Sequence, residues 1–425
     1  MLRFILGKSG SGKTAYIYEQ ISDRVKSGES DIIMLIPDQS SFETEKDFLE
    51  ILGARLSKNV TVFGFEGLCR HVFEKTANVF QNVIDDGTRA VLMSVALEQL
   101  SEKLSVLKSG GSVSLTDLML GTLKECKKNG VTAEMLKAAA DKMTDSSLKS
   151  KLSETALVFQ TFDALVNQSY IDPLDNLARA ELILSENNNL FRNAVIYIDS
   201  FSGFTSVQLR ILRILLNRSR EMNVSLTLDP LTDGSEEVFA TTQRSLKAIK
   251  SMAQRDGIPI KTPVKLTEPK RFKSDSLKEL EAQAFRMKKT PSQTAPDEIT
   301  LYAANDIYDE CEFAARKIKR LVIEEGCLYS DVAVICNDLS PYLGVLNTVF
   351  DKYEIPYFMD SSRDPEVMPP VRLVNSIFRL ILNGFKREDA LAFLKTGLTE
   401  NSLEEINTFE NYIYIWSLSG SRLCS

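Results

Sequence analysis

The sequence predicts an α/β fold: a parallel sheet interrupted by a helical insertion, followed by a second, incomplete α/β unit. Three observations carry this. Gly7-Lys8-Ser9-Gly10-Ser11-Gly12-Lys13-Thr14 stands between an apolar run at 2–6 and an amphipathic stretch at 15–26. Short apolar runs of strand length then alternate with helix-period segments. Between 86 and 186 the helical period continues with no strand-like run to break it.

The elements follow in order. Residues 2–6 read as a buried strand, and 15–26 as a helix with Ile17, Ile21 and Val25 on one face. Gly28 is a helix stop. The run 32–36, ended by Pro37, reads as a central parallel strand. A helix at 42–52, a strand at 60–63 and a helix at 65–75 continue the alternation. Five helices are expected at 89–100, 115–128, 133–143, 148–168 and 174–185, with a glycine–serine loop at 109–112. The sheet resumes with a strand at 194–199, a helix at 207–216, a strand at 223–228 stopped by Asp229-Pro230, and a helix at 239–255.

Residues 261–296, rich in Lys, Pro and Thr, read as a linker with one helix at 277–288. Their basic residues include Lys265, Lys270, Arg271 and Lys273; a solvated linker and a phosphate contact both fit them. Beyond them, strands are expected at 299–303, 332–336 and 357–359, and helices at 307–324, 342–350 and from 371 onward. The domains so drawn are 1–85 with 187–260, the insertion 86–186, the linker 261–296, a second α/β domain 297–370, and a helical segment 371–425 that begins a further insertion.

A chain of 425 residues suits roughly three domains of ~150 residues. Hydrophobic residues at 44% and charged residues at 26% are ordinary for a globular protein with a large core. The net charge of −7 gives no global basic signature for nucleic acid, which leaves a local groove open. The six cysteines, at 69, 126, 311, 327, 336 and 424, form no C-x-x-C pair and read as reduced thiols. His71 is the only histidine, which argues against a histidine dyad or zinc site. No apolar run reaches 18 residues, so no membrane span is expected. With no targeting signal visible, the expected location is the cytoplasm.

Gly7 to Thr14 fits G-x-x-x-x-G-K-[ST], the phosphate-binding loop. Its chemistry needs these residue types. Glycines let backbone N–H groups turn toward a phosphate without a Cβ in the way. The helix N-terminus adds partial positive charge. Lys13 can reach β and γ phosphates, and the Thr14 hydroxyl can bind Mg²⁺. Gly7, Lys8, Ser9, Gly10, Ser11, Gly12, Lys13 and Thr14 are therefore the candidate ATP-binding residues. Asp199, ending the strand at 194–199, is the second candidate Mg²⁺ residue beside Thr14. Hydrolases place a glutamate next to that acid; here Ser200 stands there. Nucleotide and metal binding are expected, and efficient hydrolysis is not.

Asp199-Ser200-Phe201-Ser202-Gly203, followed by Gln208 and a leucine-rich helix, is similar to the D-E-F-Q-D motif of superfamily 1 helicases of the UvrD type. Asp199, Phe201 and Gln208 match; the Glu, Gln and second Asp are lost. This looks like a decayed motor motif. Further patches resemble one family, the AddB-type component of the bacterial AddAB helicase–nuclease: 1–14, Leu35 to Gln39 with Phe42 and Glu43, Val62 to Phe65 with Leu68, Tyr197 to Phe201, Arg271-Phe272 with Leu280-Glu281, 310–318, 331–335 and Ile355 to Asp360.

The resemblance covers essentially the whole chain and only the front part of such a subunit. It implies RecA-like α/β domains, an ATP- and Mg²⁺-binding but motor-degenerate role in double-strand break repair and recombination, an AddA-type partner subunit, passage of single-stranded DNA and duplex ends, and Chi recognition. The family's nuclease domain and its four-cysteine iron–sulfur cluster match nothing in this chain, so neither is expected in it, nor any catalytic residue. Phe63 and Phe65 fall where such a helicase contacts DNA, although their surroundings favour the core. A free-standing P-loop ATPase or kinase not acting on DNA is the alternative, and a scaffold holding a permanent nucleotide a third.

Overall fold

The computed structural model describes residues 1–76, 82–107, 113–187, 189–229, 237–283, 298–359 and 367–423. The expected loop at 109–112, the end of the expected 277–288 helix, Asp360 and Cys424 lie outside them. The chain divides into two compact units, Met1–Ile299 and Thr300–Ser425.

The first unit is built on six strands: β1 (Leu2–Gly7), β2 (Ile32–Leu35), β3 (Val60–Phe63), β4 (Val195–Ile198), β5 (Glu221–Thr227) and β6 (Val264–Leu266). They lie in the order β3-β2-β4-β5-β1-β6, and every pair is parallel. Parallel strands need crossover connections, and the helices that supply them cover both faces. On one face Ile17, Ile21 and Val25 of α1 (Lys13–Lys26) and Phe48 and Leu52 of α2 (Ser41–Leu56) pack on Ile5, Met34 and Tyr197. On the other, α3 (Phe65–Lys75) and three later helices cover Phe4, Leu35, Ile198 and Val224. Each fully buried Leu, Ile or Phe contributes roughly 1.5–3 kcal/mol. β6 lies inside the stretch read as a linker: Val264-Lys265-Leu266 pairs beside β1 as a short edge strand. Three residues carry too little period-2 signal to be recognised alone.

The insertion contains α4 (Asp86–Gln99), α5 (Val113–Asn129), α6 (Ala133–Asp141), α7 (Ser146–Val166) and α8 (Asn176–Glu186). Its own core runs from Ile84 to Val166, with Met93, Leu123, Phe159 and Phe162 buried. Helix α8, grouped with the insertion by its sequence, instead places Ala180 and Leu184 in the sheet core.

Two charged groups fix the insertion. Glu154 on α7 accepts bonds from the Ser105 hydroxyl at 2.5 Å and the backbone N–H groups of Ser105 at 2.9 Å and Leu107 at 2.8 Å. Burial pushes its carboxyl up, but the Ser105 hydroxyl and the N–H groups of Leu107, Ser105 and Val106 outweigh burial and hold it at about 2. Lys127 on α5 bridges Asp163, Asp172 and Asp175 at 3.2, 3.1 and 2.8 Å.

After the insertion the sheet resumes through β4, α9 (Ser206–Arg218), β5 and α10 (Ala240–Arg255). Helix α11 (Asp275–Gln283) follows β6.

The second unit differs from expectation. Helices α12 (Ile307–Glu325) and α13 (Val345–Lys352) pack through Cys311, Ala315 and Ile318 against Leu346, Val349 and Phe350. Helices α14 (Pro369–Leu382), α15 (Arg387–Leu394) and α16 (Leu403–Ile415) follow. The strands expected at 299–303, 332–336 and 357–359 are irregular, so the second domain is not a sheet among the described residues. A strand is defined by its ladder partner, and these segments have none there. Leu301, Ile335 and Phe358 are 97%, 91% and 92% exposed, so their runs are apolar without being buried. Among the described residues no helix is long and apolar enough to cross a membrane.

Candidate nucleotide site

β1 delivers Gly7 to the C-terminal edge of the sheet, where the chain turns through Gly10 and Gly12 into α1. Both glycines have positive φ, 78° and 86°, which β-carbon-bearing residues adopt at a cost. Gly12 is the N-cap of α1 and no side chain caps the helix, so its first N–H groups are open to an anion. The cleft in front of them, about 470 Å³, is lined by Ser9, Gly10, Gly12, Lys13 and Thr14 from the loop, and by Asp199 and Ser200 across it.

Three expected loop residues stand elsewhere. Gly7 and Ser11 support the turn: a Cβ at Gly7 would meet the Ser11 hydroxyl, and Ser11 is buried. Lys8 turns away toward Asp229 at 3.7 Å and Glu281 of α11 at 3.5 Å. Lys13 folds over its own loop, donating from Nζ to the carbonyls of Gly7 at 3.0 Å and Lys8 at 2.9 Å. Burial lowers its pKa; Asp199 opposes that shift and Arg271 adds to it.

Thr14 and Asp199, 185 residues apart, meet: Thr14 Oγ1 donates to Asp199 Oδ2 at 2.6 Å. Asp199 is 1% exposed. Ser200 Oγ donates to the same oxygen at 3.3 Å, and Ser225 Oγ donates to Oδ1 at short range. Ser200 has a φ of 64°, a left-handed conformation that costs a non-glycine residue on the order of 1–3 kcal/mol. A hydroxyl and a carboxylate at this separation fit a hard, oxygen-seeking ion that keeps most of its waters, as Mg²⁺ does.

Two cleft residues come from the stretch read as a linker. Lys270 and Arg271 lie over the loop, and their backbone N–H groups donate to the Gly10 carbonyl at 2.9 and 3.0 Å. The basic cluster at 265–273 was the visible signal; that two of its members fold back 260 residues onto the loop was not. Of the other motif-like residues, Gln208 forms a capping box, its Oε1 accepting from Thr205 N at 2.9 Å while Thr205 Oγ1 accepts from Gln208 N at 3.3 Å. That gives it a structural task. Phe201 packs against Phe65 and Phe204, with ring centroids 5.5 and 5.1 Å away. Phe65 is buried and Phe63 partly so.

The family model described as ADDB, N-terminal matches residues 4–281. The chain belongs to the AddB N-terminal family. Proteins named as the B component of an ATP-dependent helicase/deoxyribonuclease are similar to it throughout. That of Clostridium perfringens strain 13 is 30% identical over 436 residues, that of Clostridium acetobutylicum 29% over 427, and that of Thermoanaerobacter sp. strain X514 31% over 428. Each alignment covers 99% of this chain and 37% of the relative, so this AddB-family chain spans a little over a third of their length.

Proposed function

We propose that this chain is the ATP-binding, motor-degenerate front part of a helicase–nuclease subunit acting in DNA repair and recombination. The observation that carries the reading is the meeting of Thr14 with Asp199 beneath an uncapped helix N-terminus. In this reading the sheet domain is RecA-like. The strand order supports that, because β5 separates the loop strand β1 from the acid-bearing strand β4. Gly10, Gly12 and the α1 N-terminus cradle the phosphates with backbone N–H groups. Lys13, now donating to two loop carbonyls, would turn to the bound phosphates, and Lys270 and Arg271 would close the other side. Thr14 and Asp199 would hold Mg²⁺, which would supply positive charge to the bound phosphates.

Turnover is weak, because Ser200 occupies the position of the water-activating carboxylate and its hydroxyl is committed to Asp199. An AddA-type subunit supplies the active motor. Single-stranded DNA and duplex ends are the substrates handled, with Chi recognition in the assembled complex and a cytoplasmic location. These last roles rest on the family and on the names of its longer members.

The test is equilibrium binding of Mg-ATP to the chain and to a Lys270→Ala/Arg271→Ala double variant, with phosphate release followed with and without single-stranded DNA. Loss of two charge-assisted contacts at ~1.5–3 kcal/mol each predicts a complex weaker by about a hundredfold or more. Unchanged affinity would remove the two basic residues from the site. Brisk release by the parent chain would favour the autonomous ATPase.

A further inference from the structure

β5 has a composition that its position does not call for. It lies between β1 and β4 in a parallel sheet covered on both faces, where continuous apolar runs are the rule. Yet only one of its faces is apolar. Met222, Val224 and Leu226 enter the larger core, while Asn223, Ser225 and Thr227 line the face toward α1. Ser225 is 2% exposed, opposite Ile5 of β1 and one step beyond the Ile198–Val224 pair of β4. A hydroxyl in such a place is costly unless it is bonded. This one is bonded to Asp199 Oδ1.

The two oxygens of Asp199 are thereby divided. Oδ1 is held from the strand side by Ser225, and Oδ2 is presented to Thr14 and Ser200 in the cleft. A carboxylate has two equivalent oxygens and turns about its last torsion. With nothing bonded to Oδ1, rotation toward another donor would withdraw Oδ2 from the metal position.

We propose that Ser225 is a positioning residue for metal-assisted nucleotide binding: it fixes the rotation of the Asp199 carboxylate so that Oδ2 stays beside Thr14. The proposal rests on the reading of Thr14 and Asp199 as the Mg²⁺ residues. Partners that orient a metal's carboxylate typically change metal affinity by about 10–100-fold when removed.

The experiment is an ATP titration of the chain in EDTA and at stepped Mg²⁺ concentrations, for the parent, Asp199→Asn, Ser225→Ala, Ser225→Cys and Ser225→Thr. The parent binds more tightly as Mg²⁺ rises, and Asp199→Asn loses that response. Ser225→Ala moves the Mg²⁺ midpoint up by about tenfold or more with its EDTA affinity unchanged, and Ser225→Thr, which keeps the hydroxyl, returns the midpoint. If Ser225→Ala does not fold, Ser225→Cys, similar in size and a weak donor, is read in its place, with the same direction of shift expected. A midpoint within twofold of the parent overturns the proposal, and so does an equal loss in EDTA and in Mg²⁺, which marks a structural serine. A parent with no Mg²⁺ response overturns the metal reading itself, a separate outcome.

Discussion

Replacing Gly10 with alanine tests whether the basic segment 267–274 is fastened to the loop between β1 and α1. Gly10 has a φ of +78°, and a Cβ there would stand 2.8 Å from Arg271 Cβ. That atom is one bond from the backbone, so no rotamer change removes the clash. The Gly10 carbonyl also accepts from Lys270 N and Arg271 N. The left-handed conformation costs alanine about 1–2 kcal/mol. Displacing the segment breaks two hydrogen bonds at about 1 kcal/mol each, so the total is about 3–4 kcal/mol.

Gly28 provides the control, since its φ is +92° and nothing lies within 4 Å of its Cβ position. Gly28→Ala carries only the first cost, about 1–2 kcal/mol. Urea unfolding gives the stabilities, and hydrogen exchange of peptides covering 267–274 reports the fastening. Faster exchange there in Gly10→Ala, with parent-like exchange in Gly28→Ala, is the expected result. Equal destabilisation of the two variants with equal protection at 267–274 would refute the contact.

Three further outcomes are expected. Glu154→Gln destabilises the insertion near neutral pH: a carboxyl held at about 2 against an ordinary 4.5 sets a ceiling of ~3 kcal/mol. Because the folded value is the depressed one, that stability is present above about pH 4.5 and disappears as the pH falls toward 2; a parent–variant difference in urea midpoint that is the same at pH 7 and pH 3 would contradict the assignment. Lys127→Met leaves Asp163, Asp172 and Asp175 facing one another and costs roughly 3–5 kcal/mol; thermal unfolding within a degree of the parent would show that water screens them. Ser200→Glu does not produce strand separation, because the left-handed backbone at φ 64° does not favour a glutamate and Ser202 and Gly203 stand where the helicase motif has Gln and Asp; unwinding of a tailed duplex by this variant would overturn the degenerate-motor reading.

The sheet was legible because its signals are local. Ile32 to Leu35 and Val195 to Ile198 are apolar runs closed by turn residues, and all eight residues are buried. The turn from β1 into α1 was legible because its glycines answer a backbone requirement that sequence records directly, at Gly10 and Gly12. What sequence concealed depends on distant partners. β6 has three residues and takes its identity from β1. Lys270 and Arg271 are basic residues like their neighbours until the chain folds them onto Gly10. Ser225 was visible only as one of the polar residues alternating along β5, and its bond to Asp199 needs β4 and β5 side by side. The opposite error arose in the second unit, where Val332 to Cys336 has a strand's composition without a ladder partner among the described residues. Composition records what a segment could bury; pairing decides what it becomes.

In the proposed reading, Gly7 to Thr14 holds a nucleotide that this chain barely turns over. Calorimetric titration of Mg-ATP into the parent chain and into Lys13→Ala, with released phosphate assayed in parallel, tests it most directly. Saturable binding to the parent, binding lost in a folded Lys13→Ala, and negligible phosphate release are predicted. Equal affinity in the two proteins would contradict the site, and rapid release by the parent would contradict the degenerate motor.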